Sequence, residues 1–266
     1  MSQKPLFLSH TSKSSPLVVS MPHTGSYIPD DITEKMTLTG KRAVDTDWHI
    51  HQLYQPVLDD IGCHWIAATH ARYVVDLNRP ADGAALYPGQ DETGICPVTS
   101  FDRQPLYKDG ADQQIDIAGR IKKYWYPYHS ELSRLIGEAV HQYGFAILWD
   151  AHSIKNRVPR FFEGKLPDLN FGTVDNTSAT IAIENSLKSV AGRHSEFSHI
   201  FNGRFKGGYI TRQFGMPDKN IFAVQLEMSQ ALYMDQDYPF TFLEGKADQI
   251  RPVLEELLVK MMKWRP

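Results

Sequence analysis

Three short apolar runs that each lead directly into ionisable residues are the feature that most constrains this fold. They are residues 145–149 before Asp150 and His152, residues 16–21 before His23, and residues 221–226 before Glu227. Apolar runs of this length predict buried strands. In α/β proteins, the strand ends form the edge of the sheet where ligands bind. The sequence therefore predicts two imidazoles and a carboxylate at one sheet edge, which suggests a metal-dependent hydrolase.

Strands and helices are predicted to alternate along the chain. The predicted strands are residues 17–21, 65–69, 73–77, 145–149 and 221–226. The predicted helices are residues 46–60, most of 112–143 with a kink at Pro127, 178–191 and 242–262. Residues 79–110 are rich in Pro, Gly and Asp and are expected to form a long functional loop. This alternation predicts an α/β fold with a mixed, mostly parallel sheet covered by helices on both faces. We expect residues 1–266 to form a single domain.

The composition excludes several classes of protein. A net charge of −3 provides no basic surplus for binding nucleic acid. The two cysteines, Cys63 and Cys96, are too few for a disulfide framework and favour a cytoplasmic protein with free thiols. No apolar run is long enough for a membrane span or a signal peptide. We therefore expect neither a nucleic acid nor a membrane partner, and the oligomeric state is not predicted.

Two histidines are candidate metal ligands. His23 lies in a Pro-His-Thr-Gly turn that would hold its imidazole rigidly beyond the strand; the alternative is a solvent-exposed loop histidine. Asp150 and His152 face the same side of a strand, so Asp150 could orient an imidazole. The alternative there is a polar pair that caps the strand.

Carboxylates complete the predicted site. Asp45 and Asp47 precede a predicted helix, and at this spacing only one is expected to face a given site. We favour Asp45 as the metal ligand, although it could instead cap the helix. Glu227 is predicted to be the general base, with an ion pair to an arginine as the alternative. Two histidines and one carboxylate suit one divalent ion, with zinc favoured and an open position left for water.

Several arginines could hold an anionic substrate. Asn78 and Arg79 follow the predicted strand at residues 73–77, and an arginine fork matches a carboxylate. Arg79 could instead be structural and pair with Asp76. Arg72 and Arg212 are the further predicted substrate-binding residues, and Arg204 lies in the same Gly-rich segment as Arg212.

In combination these segments resemble the N-formylglutamate amidohydrolase family, over about residues 17–232. The matching segments are residues 19–25 (Val-Ser-Met-Pro-His-Thr-Gly), 45–47 (Asp-Thr-Asp), 72–80 (Arg-Tyr-Val-Val-Asp-Leu-Asn-Arg-Pro), 96–99 (Cys-Pro-Val-Thr), 124–129 (Tyr-Trp-Tyr-Pro-Tyr-His), 150–153 (Asp-Ala-His-Ser) and 225–227 (Gln-Leu-Glu). The Asp-Leu-Asn-Arg and Pro-Tyr-His pieces are specific in combination, whereas no single piece would suffice.

The resemblance implies a three-layer α/β/α fold similar to the zinc carboxypeptidases. It also implies hydrolysis of N-formyl-L-glutamate, a small molecule, to formate and L-glutamate in histidine degradation. His23 and His152 would be metal ligands, Glu227 the base, and Asn78 with Arg79 the carboxylate site. The wider carboxypeptidase group supplies its first ligands as His-x-x-Glu, but here Ser26 stands three residues after His23. Asp45 is therefore our substitute for the missing carboxylate.

Two other hypotheses are compatible with these residues. The chain could hydrolyse another N-acyl amino acid or a small peptide on the same scaffold. It could also be an inactive relative that binds an acidic metabolite through its arginines, although both histidines, an aspartate and Glu227 are present.

Overall fold

One mixed sheet of seven strands runs through the part of the protein that a computed structural model describes, residues 4–12, 15–86 and 88–266. Numbered in chain order, the strands are β1 (Phe7–His10), β2 (Leu17–Met21), β3 (His64–Ala68), β4 (Ala146–Ile154), β5 (Leu169–Gly172), β6 (His199–Phe201) and β7 (Ile221–Ser229). Their order across the sheet is β1-β3-β2-β4-β7-β5-β6. Strands β3, β2, β4 and β7 are parallel, whereas β1 and β5 pair antiparallel with β3 and β7. The predicted mixed, mostly parallel sheet is confirmed.

Helices of very different lengths connect the strands. The α-helices are α1 (Asp30–Thr33), α2 (Leu38–Lys41), α3 (Ile50–Ile61), α4 (Ile117–Arg120), α5 (Tyr126–Tyr143), α6 (Ile181–Ala191), α7 (Tyr209–Phe214) and α8 (Glu244–Lys263). A π-helical segment, Ile121–Trp125, connects α4 directly to α5. Short 3₁₀ turns lie at Asp112–Gln114, Pro217–Lys219 and Gln230–Leu232.

Alternating side chains of the central strands pack against helices on opposite faces of the sheet. Val18 and Leu148 belong to the core that α5 covers. Their neighbours Val19 and Trp149 belong to the core built with α3, α6 and α8. Because successive strand residues point to opposite faces, two apolar faces require two helical layers. The predicted three-layer α/β/α architecture is confirmed.

The strand predicted at residues 73–77 does not form. These residues form turns and irregular backbone, yet Tyr73, Val74 and Val75 are buried. Their backbone is held by groups outside the sheet: Asp76 N donates to Ile95 O at 2.7 Å. The apolar run packs beside α5 and not between two strands, and an apolar run alone cannot distinguish these environments.

The long loop was predicted correctly. Residues 79–86 and 88–110 contain no helix or strand, apart from isolated bridges that include Thr99 with Pro105 and Met36 with Tyr107. Cys63 and Cys96 are free thiols, as expected, and both are buried. No helix in the described part of the chain combines the length and apolar character that crossing a membrane requires.

Candidate metal centre and substrate cavity

The apolar face of the sheet that packs on α5 turns polar at its carboxyl end. Along β4, Leu148 is followed on the same face by Asp150 and His152, because side chains alternate. Along β7, Gln225 and Glu227 continue the same row. The parallel register places His152 directly beside Glu227. All four polar side chains are buried, so the sheet itself delivers an imidazole and a carboxyl group to one enclosed site.

His23, Asp47 and His152 form a buried cluster suited to a metal ion. Their donor atoms lie within 4.8 Å of one another. The Asp47 Oδ2 atom is 2.9 Å from His152 Nδ1 and 3.8 Å from His23 Nδ1. The backbone also contributes, because Asp47 N donates to His23 O at 3.1 Å and ties the two segments together. Two imidazole nitrogens and one carboxylate oxygen match the ligand set of a catalytic zinc site.

Neighbouring carboxylates orient both imidazoles toward this cluster. His23 Nε2 lies 2.6 Å from Asp76 Oδ1. A carboxylate can only accept, so the His23 proton lies on Nε2, and Nδ1 presents a lone pair to the cluster. Among the described atoms this buried Nδ1 has no hydrogen-bond partner, which fits a position that a metal would occupy. His152 Nε2 lies 3.1 Å from Asp150 Oδ2. Carboxylates that hold the far nitrogen of metal-binding histidines are a common second layer of such sites.

The charge balance of the cluster also suits a cation. Asp47, Asp76 and Asp150 are buried, and the largely buried guanidinium of Arg72 pairs with two of them, Asp76 at 2.7 Å and Asp47 at 3.7 Å. Burial lowers the pKa of His152, but Asp150 and Asp47 outweigh it and raise that pKa well above its usual value. The site therefore attracts positive charge, and a divalent ion would supply it.

Asp45, the carboxylate that we favoured, points away from the cluster. Its Oδ2 accepts hydrogen bonds from Tyr73 Oη at 2.6 Å and from Phe101 N at 2.8 Å. Burial raises the pKa of Asp45 to about 6. The structure thus brings His23 and His152 together with Asp47 and not with Asp45. The geometry does not support our preference within the Asp45–Asp47 pair, because a spacing of two residues sends the side chains in different directions.

Glu227 is a buried carboxyl group to which no described side chain forms a hydrogen bond or an ion pair. Burial raises its pKa to about 8, because the attraction of His152 only partly offsets the loss of hydration and the repulsion by Asp47. It lines the same cavity as the His23, Asp47 and His152 cluster. A buried carboxyl group with a pKa near neutral pH, beside a metal site, can accept a proton and return it.

A cavity of about 90 Å³ opens onto the cluster and is lined by several cationic and aromatic side chains. Its polar wall includes the predicted residues Arg72, Asn78 and Arg79. Arg79 forms an ion pair with Glu92 of the long loop. The Phe101 ring lies 5.0 Å from the Arg72 guanidinium, which helps to fix that guanidinium beside the cluster.

Arg204 lines the cavity, whereas Arg212 is absent from the described residues that line it. Arg212 Nε donates to Gly207 O at 2.9 Å, within its own segment. Arg204 Nε donates to Phe161 O at 2.6 Å, which fixes this side chain against another residue of the cavity wall. Both arginines belong to one Gly-rich segment, and the sequence alone gave no periodic signal to rank them.

The structure adds residues that sequence reasoning did not assign to the site. Asp76, considered only as an arginine partner, holds both His23 and Arg72. Gln225 accepts from Gly208 N at 2.7 Å and thereby fixes the segment that faces Asn78. The Asp-Leu-Asn-Arg motif was the available signal for Asp76, because it places this carboxylate two residues before Asn78.

Comparison with known proteins agrees with the sequence motifs. The family model described as N-formylglutamate amidohydrolase matches residues 15–234. The N-formylglutamate deformylase of Pseudomonas putida is 42% identical over 250 residues, which cover 94% of this chain and 93% of that protein. The N-formylglutamate deformylase of Pseudomonas aeruginosa is 40% identical with the same coverage.

Solved structures share the fold. The N-formylglutamate amidohydrolase from Ralstonia eutropha JMP134 superimposes with a TM-score of 0.79 at 24% identity, covering 96% of this chain and 97% of that one. A gene product from Agrobacterium tumefaciens superimposes with a TM-score of 0.73 at 16% identity, covering 97% and 94%. At these identities the likeness establishes the three-layer architecture alone.

Proposed function

Because the chain belongs to the N-formylglutamate amidohydrolase family, we propose that it hydrolyses N-formyl-L-glutamate to formate and L-glutamate. The observation that carries this proposal is one cavity in which the His23, Asp47 and His152 cluster, the carboxyl group of Glu227 and several arginines meet. Such a cavity combines a ligand set for a metal, a proton acceptor and counter-charges for a dicarboxylate.

His23, Asp47 and His152 would hold a divalent ion, for which we propose zinc on the basis of ligand type. When bound, this ion supplies Lewis acidity and lowers the pKa of water to about 7. The chain supplies the orientation: Asp76 fixes the His23 ring through Nε2, and Asp150 lies against Nε2 of His152. Asp47 replaces Asp45 in this assignment because only Asp47 lies with the imidazoles.

Glu227 is the proposed general base and general acid. It would accept a proton from the attacking water and then deliver that proton to the leaving amino group of glutamate, so that the proton count balances over the cycle. Its place beside His152 in the register of β4 and β7 keeps it on the same face as the ligand cluster. Arg72, which pairs with Asp47 beside the cluster, would stabilise the negative charge that develops on the formyl oxygen.

The two carboxylates of the substrate require two cationic sites. We assign Arg79, with Asn78, to one of them and Arg204 to the other, since both arginines line the cavity. A substrate carboxylate would displace Glu92 from Arg79 and take over its charge-assisted hydrogen bonds. Arg212 is omitted here because its guanidinium is engaged with Gly207.

We propose that the size of the acyl group determines which N-acyl substrates the cavity accepts. The formyl carbon carries only a hydrogen, and Phe101 and Phe161 line the cavity with rigid rings. Their ring centroids lie 4.9 Å apart in an edge-on arrangement. An acetyl group would add a methyl, which a tightly bounded pocket rejects by roughly 10- to 200-fold. We therefore expect a strong preference for formyl over acetyl substrates.

The direct test is formate release from N-formyl-L-glutamate by purified protein, before and after treatment with a chelator and after readdition of zinc. We expect turnover that the chelator abolishes and zinc restores. The Glu227→Gln variant should retain its zinc and lose turnover by at least about 100-fold, the range for a general base.

The same assay separates the alternatives. Faster turnover of N-acetyl-L-glutamate or a glutamyl peptide would assign the scaffold to another acyl group. Tight binding of N-formyl-L-glutamate without formate release, in protein loaded with zinc, would instead identify a metabolite-binding protein.

A further inference from the structure

Two aromatic side chains of the helical segment before β4 form hydrogen bonds to the backbone of the turn that carries Asn78 and Arg79. Trp125 Nε1 donates to Arg79 O at 2.9 Å. His129 Nε2 lies 2.9 Å from Leu77 O. Trp125 and His129 are four residues apart, so on a helix they share one face. They therefore hold the carbonyl groups on either side of Asn78. Both belong to the Tyr-Trp-Tyr-Pro-Tyr-His motif at residues 124–129, which has no other assigned role.

This arrangement is rigid. The Trp125 and His129 rings stack with centroids 3.7 Å apart and planes 26° apart, and both residues are only 6% exposed. Trp125 is the last residue of the π-helical segment Ile121–Trp125, and such segments often occur at functional sites.

His129 has a fixed protonation state. Burial lowers its pKa to about 4, so the ring is neutral at physiological pH. A carbonyl can only accept, and Nε2 faces Leu77 O, so the single proton lies on Nε2. Its Nδ1 is buried and has no partner among the described atoms. His129 Nε2 therefore donates to Leu77 O at physiological pH.

Asn78 is held from the other side as well. Ile210 N donates to Asn78 Oδ1 at 2.8 Å, and Asn78 N donates to Asp76 Oδ1 at 2.9 Å. Asn78 Nδ2 also lies 3.0 Å from His152 Nε2. The side chain and amide of Asn78 are thus fixed by other segments. The carbonyls of Leu77 and Arg79 contact His129 and Trp125, and these contacts hold the backbone from which the Arg79 side chain extends toward Glu92.

We propose that Trp125 and His129 are positioning residues that hold Arg79 in the orientation needed to bind one substrate carboxylate. This rests on the proposed function. Neither residue is among the described residues that line the cavity, so both would act through Arg79 and not on the substrate itself.

The test uses three full-length, zinc-loaded variants. Trp125→Phe keeps the stacked ring and removes the donor. His129→Leu removes the donor, whereas His129→Gln retains an N–H the same number of bonds from the backbone as His129 Nε2. We expect Trp125→Phe and His129→Leu to raise KM for N-formyl-L-glutamate by about three- to tenfold with kcat nearly unchanged, the range for one lost hydrogen bond. His129→Gln should restore the KM of the parent. The free energy of unfolding of His129→Gln should be no higher than that of His129→Leu, because the amide is buried.

Two analogues make the readout specific to Arg79. One has an amide in place of the α-carboxylate and the other has an amide in place of the side-chain carboxylate. For the analogue that lacks the carboxylate held by Arg79, parent and variants should have the same KM. Tyr126→Phe, at a residue that is 56% exposed on the same helix, is the matched control and should match the parent on all substrates.

The outcomes separate this proposal from the proposed function. If the parent releases no formate from N-formyl-L-glutamate, the proposed function fails. If the parent is active but the KM ratios persist with both analogues, or if His129→Gln behaves like His129→Leu, the residues are merely structural and the positioning role is overturned.

Discussion

At the residue scale, two carboxylates only two positions apart have opposite environments. Asp47 lies with two imidazoles, whereas Asp45 accepts hydrogen bonds from a tyrosine hydroxyl and a backbone amide. A local sequence pattern cannot separate them, because both precede the same helix. The distinction comes from Asp47 N donating to His23 O, a contact between distant segments.

The first prediction compares Asp47→Asn with Asp45→Asn. Asp47→Asn should lose most of its bound zinc, because an amide oxygen is a weaker ligand than a carboxylate. Asp45→Asn should retain zinc, since an amide oxygen can still accept from Tyr73 and Phe101. Metal content by mass spectrometry, after exchange into metal-free buffer, distinguishes them. Loss of zinc from Asp45→Asn alone would restore our first assignment of the ligand.

The second prediction concerns the pH dependence of stability in the metal-free protein. The folded-state pKa of Glu227 is raised from 4.5 to about 8. The buried site accommodates the protonated carboxyl group better than the ionised one. The stability that depends on protonated Glu227 is therefore present in full below pH 4.5 and is lost as the pH rises through 8. Relative to Glu227→Gln, the parent should lose stability on the order of 1 kcal/mol per pH unit within this window. Urea unfolding of both proteins at pH 6 and pH 8 measures this, and a difference that does not change with pH would contradict it.

At the element scale, the strands that form the centre of the sheet were predictable and its edges were not. Residues 17–21 were predicted as a strand with the bounds that β2 has, because all five side chains are buried and apolar or small. β1 and β6 were missed because their side chains are mostly exposed, so no apolar run marks them. β5 is fully buried but only four residues long.

The same reasoning explains which parts of the site were predictable. His23, His152 and Glu227 follow or end apolar runs, and parallel strands bring such positions together. Asp76 was not assigned because the sequence predicted it inside a strand at residues 73–77, whereas it lies outside the sheet. The choice between Arg204 and Arg212 depends on how an irregular segment folds back over the cavity, which no periodicity encodes.

The third prediction tests the close approach of residues 207–210 to Asn78. A Cβ added at Gly208 would lie 2.2 Å from Asn78 Nδ2, so Gly208→Ala must displace the Asn78 side chain. We expect a loss of kcat/KM of roughly 10-fold or more, since small misplacements of a positioning group are costly. The measurement is steady-state kinetics with N-formyl-L-glutamate.

Gly137→Ala is the matched control. Gly137 is exposed within α5, and an added Cβ would meet nothing within 4 Å. This variant should have unchanged kinetics and be stabilised by about 0.5–1 kcal/mol, because alanine favours the helix. Normal kinetics in Gly208→Ala would show that Asn78 tolerates displacement.

At the scale of the whole molecule, the candidate metal centre joins parts of the chain that are far apart in sequence. His23 follows β2, Asp47 precedes α3 and His152 lies in β4. A ligand that binds only the folded arrangement stabilises it by mass action. Without a bound cation, the buried Asp47, Asp76 and Asp150 would keep the Arg72 guanidinium as the partner of two of them. Metal binding should therefore be coupled to the stability of the entire fold and not to activity alone.

The fourth prediction follows from this coupling. Zinc at about 100 times its dissociation constant should stabilise the chelator-treated protein by about 2.7 kcal/mol, which raises Tm by roughly 5–10 °C for a domain of this size. Asp47→Asn should show little of this rise, because it lacks one ligand. Magnesium should produce none, since it prefers oxygen ligands and binds imidazoles poorly. Thermal unfolding with each ion checks this. Equal stabilisation by magnesium and zinc would indicate binding to surface carboxylates, because the His23, Asp47 and His152 cluster offers two nitrogens for every oxygen.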